Sequence, residues 1–171
     1  MSRATVRAAI TAYLNGGLGP IPGLAKVYQA MPYFVDGANA IPLAANGGSG
    51  SYAYLHIGES DESRWAEPAV QGSVGVHYQV NLVVCYVYEI PSAIETPPVD
   101  PSAWVGPCDA ILQGLKNLIH ADPSMGAPAT VFLAAQTPDT LRITSDDSRL
   151  VSGRVHSWHV IQFRVTEVIQ A

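Results

Sequence analysis

Charge is what this chain has least of: 13% of its 171 residues are Asp, Glu, Lys or Arg, and the formal net charge is -5. An ordinary soluble domain carries roughly 25% charged residues, so uncharged polar, small and apolar groups must cover much of this surface. Burial against other subunits explains the deficit, and a monomer rich in small residues is the plainer alternative. No cluster of Lys or Arg is present to grip a phosphate backbone, so specific nucleic-acid binding is not expected. A weakly acidic surface can still border a path along which DNA slides.

Cysteine is nearly absent. Cys85 and Cys108 form no C-x-x-C pair, which argues against a zinc ribbon or a dithiol redox motif, and Cys85 is expected to be a core thiol on a strand. No stretch reaches the ~20 apolar residues of a membrane span, and Met1 to Leu14, with Arg3 and Arg7, lacks the apolar block of a signal peptide. The expected location is the cytoplasm or a particle assembled there.

Signatures of catalysis are missing too. Ser49 sits among glycines, but Ser51 stands where a G-x-S-x-G elbow needs its last glycine, and no lysine makes the stretch a P-loop. His56, His77 and His120 are scattered, while His156 and His159, three apart on a strand, fall on opposite faces and cannot chelate together without a bulge. Asp61-Glu62 and Asp146-Asp147 are adjacent acids of the kind that turns leave solvated. The reading is of no catalytic residue, no cofactor site and no metal site, hence not an enzyme.

What is present is alternation. Val74, Val76, Tyr78, Val80, Leu82, Val84, Tyr86 and Tyr88 share one face of a run ending at Glu89, the period-two pattern of a strand with one buried face. Typical strands stop near ~5 or 6 residues, whereas this one spans about 16 residues and roughly 50 Å, which invites packing with another subunit. Arg154 to Ile169 is a second long β-like run, with Val155, Ile161, Phe163 and Val165 on one side and Trp158, Val160 and Val168 on the other.

Between these runs, Ser2 caps an amphipathic helix over residues 3–14, and Asn15-Gly16-Gly17 ends it. Ala25 to Met31 and Tyr52 to Ile57 read as strands, separated by an extended, flexible loop over residues 32–51. An acidic link over residues 59–67 leads into the long strand. Pro91, Pro97, Pro98, Pro101 and Pro107 make residues 91–107 a stiff loop. Asp109 to His120 is a second helix, whose Gly114 costs about 1 kcal/mol relative to Ala and marks a close contact. Val131 to Ala135 and Leu141 to Thr144 read as short strands. The predicted fold is a single α+β domain, an antiparallel sheet with two long strands and two helices packed on one face, with extended loops.

Candidate interface residues are Asn46, Gly47 and Ser49 in the glycine-rich loop, Tyr52 beside it, Glu59, Asp61, Glu62 and Trp65 in the acidic link, and Trp104 in the proline-rich loop. Trp65, Trp104 and Trp158 suit either interface anchors or core packing.

From "SRATVRAAITAYL" through "VHYQVNLVVCYVYEI" and "DAILQGLKNLI" to "HSWHVIQFRVTEVI", the order and length of elements resemble the tail terminator proteins of long-tailed (siphovirus-type) bacteriophages. The resemblance implies a virion protein forming a homo-oligomeric ring of roughly six copies at the head-proximal end of the tail tube. Such a ring ends tube polymerisation, offers a surface to the head-tail connector or head-closure protein, and lets DNA pass through its lumen without specific binding. No membrane and no cofactor are implied. Another neck component is the nearest alternative, and a small α+β enzyme or ligand-binding domain with a concave polar pocket is a more distant one.

Overall fold

The computed structural model describes residues 3–19, 21–32, 51–63, 73–89, 102–122, 124–125, 132–134, 141–145, 148–151 and 154–170. The chain runs α1 (Arg3–Gly16), β1 (Leu24–Tyr28), β2 (Ser51–Ser63), β3 (Ser73–Glu89), α2 (Ser102–Ala121), β4 (Phe132–Ala134), β5 (Arg142–Ser145), β6 (Arg149–Val151) and β7 (Arg154–Gln170). Its class is α+β. Among the described residues, seven strands form one sheet in the order β1-β2-β3-β7-β4, with β5 and β6 also on the outer side of β7. Only β1 against β2 is parallel.

The two long alternating runs pair with each other. All 17 residues of β3 face all 17 of β7 in an unbroken antiparallel register, from Ser73 opposite Gln170 to Glu89 opposite Arg154. At about 3.3 Å per residue the ladder is roughly 55 Å long. A single slip would move Val80, Leu82 and Val84 to the other face, so the alternation itself fixes the register.

Both helices cover the face that carries these residues. Val6, Ile10 and Leu14 of α1 and Ile111, Leu115 and Ile119 of α2, spaced at helical period, are buried with Val80, Leu82 and Val84 of β3 and Ile161, Phe163 and Val165 of β7. Tyr13 Oη donates to the Leu118 carbonyl at 2.8 Å and ties the helices together.

Four expectations need correction. β2 is a third long strand of 13 residues, so Glu59, Asp61 and Glu62 lie in it rather than in a link. A register shift between Ile57 and Ser60 lets the strand continue along β3, whose length offers backbone partners as far as Gly75. α2 begins at Ser102, so Trp104 and Pro107 are helical rather than in a loop, while residues 91–101 of the predicted loop and residues 33–50 of the glycine-rich one lie outside the described residues. Proline at φ near −65° fits a helix and forfeits one hydrogen bond at a cost of about 3 kcal/mol, which tertiary packing of α2 offsets. β1 stops at Tyr28, short of Met31, and α1 continues through Asn15 to Gly16.

Candidate functional site

The helices leave the second face of the sheet uncovered by either of them. Register places His56, Asn81 and Gln162 side by side across β2, β3 and β7, with Gln79 beside Arg164 and His77 beside Thr166 further along. This polar band holds together through side chains: His77 Nδ1 and Thr166 Oγ1 are 2.8 Å apart. In backbone register, Asp61 of β2 stands opposite His77.

Toward the other end, the same face turns aromatic. Tyr52, Cys85 and Val87 are buried, with Tyr28, Tyr54 and Trp158 packed against them. Tyr28 and Tyr52 meet edge to face at 6.3 Å between ring centroids, His156 stacks on Trp158 at 5.8 Å, and Lys26 Nζ lies 5.2 Å from the Tyr28 ring. Burial raises the Tyr52 phenol above its ordinary range, with the neighbouring Cys85 adding to it. Burial likewise pushes the Cys85 thiol up to about 11, so both groups are protonated at neutral pH.

Between the polar band and the edge of β2 lies a concavity of about 470 Å³ lined by Arg7, Met31, Tyr54, His56, Asn81 and Gln162. Arg7 Nε and Asn81 Oδ1 are buried and have no hydrogen-bond partner among the described residues. One is a donor and the other an acceptor, and each belongs to a residue that lines the concavity.

A second polar cluster sits on the helix-covered face. His159 Nε2 is 3.2 Å from Cys108 Sγ and 2.8 Å from Ser157 Oγ, while His159 Nδ1 is 3.1 Å from Ser145 Oγ. Burial lowers the His159 pKa, against an opposing pull from the Asp109 charge. The Cys108 thiol is pushed up to about 11 by burial and then by Asp109. A neutral imidazole beside a protonated, 3% exposed thiol is a hydrogen-bonded core contact, since a nucleophilic cysteine requires a depressed pKa and access. Deeper still, Tyr78 Oη donates to Glu167 Oε2 at 2.9 Å. Among the described residues no three His, Cys, Asp or Glu side chains converge to hold a metal ion, and no helix is long and apolar enough to cross a membrane.

Of the sequence-predicted interface residues, Asn46, Gly47, Ser49 and Trp65 lie outside the described residues. Tyr52 is 4% exposed and belongs to the aromatic cluster. Glu59, Asp61 and Glu62 lie together on β2, and Trp104 lies in the first turn of α2. His156 and His159 do fall on opposite faces, one beside Cys85 and the other beside Cys108. Sequence reasoning missed the pairing of Cys108 with His159, which are 51 positions apart and meet only because α2 packs over β7. The concavity was equally invisible, because its walls come from α1, β1's exit and three strands.

No known protein family and no curated protein sequence matches this chain.

Proposed function

We propose that the protein is a structural component of a phage virion, a tail terminator that forms a ring at the head-proximal end of the tail tube. There it ends tube polymerisation and joins the tail to the head connector, while DNA passes through the lumen without specific binding. The observation that carries this reading is the unbroken β3–β7 ladder, with β2 alongside it for 13 residues. The ladder is roughly 55 Å long, whereas α1 and α2 span about 21 and 30 Å, so the sheet outreaches each helix that packs on it. Such a long sheet suits a wall shared between subunits. The low charge of the chain and the buried, protonated state of Cys85 and Cys108 support an assembly role over a nucleophilic one.

The test is polymerisation of purified tail tube protein in its presence. Tubes that stop growing and carry the protein at one end support the reading. Tubes that grow as if it were absent, with a connector protein bound instead, move the assignment to another neck component.

One observation favours a ligand-binding domain instead, the concavity in which Arg7 Nε and Asn81 Oδ1 are left without partners. Saturable binding of a small anion at Arg7 by a chain that stays monomeric would support it.

A further inference from the structure

Asn15 and Gly16 close α1 as an Asn-Gly pair, in which a backbone nitrogen reaches the preceding carboxamide with least hindrance because glycine has no Cβ to shield it. Such a pair can modify itself. The Gly16 nitrogen gives its proton to solvent base and attacks Asn15 Cγ; the N–Cγ bond forms, the Cγ–Nδ2 bond breaks, and ammonia leaves with a proton taken from water. Water then opens the five-membered imide, which leaves aspartate or isoaspartate at position 15.

Water reaches the pair, since Gly16 is exposed and Asn15 is only partly buried. Burial alone is therefore no protection. Geometry supplies it: Asn15 Nδ2 donates to the carbonyl and Oδ1 accepts from the amide of Val27, a fully buried residue, so Cγ turns onto the Gly16 nitrogen only when both bonds break. The fold has no need of glycine here. A Cβ at Gly16 would meet nothing within 4 Å, and among the described glycines only Gly23, at φ 86°, lies in the left-handed region.

Neither product fits the clamp. Aspartate has no N–H for the Val27 carbonyl and sets a negative charge against it at the C-terminus of α1, where the helix dipole disfavours an anion. Isoaspartate adds a carbon to the main chain at the end of the helix. We propose that Asn15-Gly16 is a self-modification site gated by the fold: closed while Asn15 clamps Val27, open once α1 and β1 part, and one-way thereafter. This chemistry belongs to the single chain and does not depend on the ring reading.

Trypsin frees Ala8 to Lys26 as one peptide in which Asn15 is the only amide side chain, so mass spectrometry reads this site alone. In mildly alkaline buffer the chain unfolded in urea is expected to convert at least tenfold faster than the folded chain, and equal rates overturn the gate. At urea concentrations below the unfolding midpoint, conversion is expected to rise together with hydrogen exchange at the Val27 amide. Conversion that waits for global unfolding while this amide already exchanges overturns the clamp as the gate. Gly16→Ala, for which the fold has room, is expected to slow conversion in urea at least tenfold, and an unchanged rate overturns attack by the Gly16 nitrogen. Asn15→Asp is expected to lower the urea midpoint or to prevent folding, read by circular dichroism. A midpoint equal to that of the unaltered protein overturns the one-way character.

Discussion

Asn15 hydrogen-bonds both backbone groups of Val27: its Nδ2 donates to the Val27 carbonyl at 2.9 Å, and its Oδ1 accepts from the Val27 amide at 2.9 Å. The carboxamide thus takes the place of a neighbouring strand along β1 and fixes the end of α1 to the sheet. Asn15→Leu keeps a similar volume but strips both bonds from Val27. The expected loss is about 1–3 kcal/mol of stability. Urea unfolding measures it, and hydrogen exchange at the Val27 amide is expected to quicken first.

Gly114 is needed where α2 crosses the chain ahead of β1. A Cβ at this position would lie 2.9 Å from Ile21 Cγ1 and 3.2 Å from its Cδ1, and Ile21 is itself buried. Gly114→Ala gains about 1 kcal/mol in helix propensity but forces this contact, and overpacking costs typically about 1–3 kcal/mol. The expected net result is destabilisation, growing with Gly114→Val. Pairing Gly114→Ala with Ile21→Ala, which clears the clash, is expected to cost less than the sum of the two single changes in a double-mutant cycle.

Burial of His159 sets a pH dependence with a definite sign. Burial depresses the His159 pKa in the fold, so as pH falls through about 6.5 the unfolded chain takes up this proton first. The contribution is fully present above that pH and is lost on acidification toward the folded value. Urea midpoints measured from about pH 8 down to about pH 5 are expected to fall, and to fall less in His159→Gln. At neutral pH Cys108, with its thiol pushed up to about 11, is expected to react with a disulfide reagent only after unfolding.

Where a pattern repeats along one element, the sequence was sufficient. The alternation through Val80, Leu82 and Val84 and through Ile161, Phe163 and Val165 marked both long strands and their buried face, and the helical spacing of Ile111, Leu115 and Ile119 marked α2. Gly114 stood out because a glycine inside a helix has a cost, and Ile21 supplies the reason. The strand character of Glu59 to Ser63 was hidden, because acids are poor strand formers and the pairing comes from the length of β3. The helical start at Ser102 was hidden by Pro107, whose local preference yields to packing of the helix. The concavity was least legible, because α1, the exit of β1 and three strands each contribute to its walls.

The most direct test is the mass of the purified protein by light scattering, alone and with tail tube protein. A discrete oligomer of roughly six 18.1 kDa chains is expected, alone or at the tip of a tube that has stopped growing. A stable monomer that leaves tube growth untouched would contradict it.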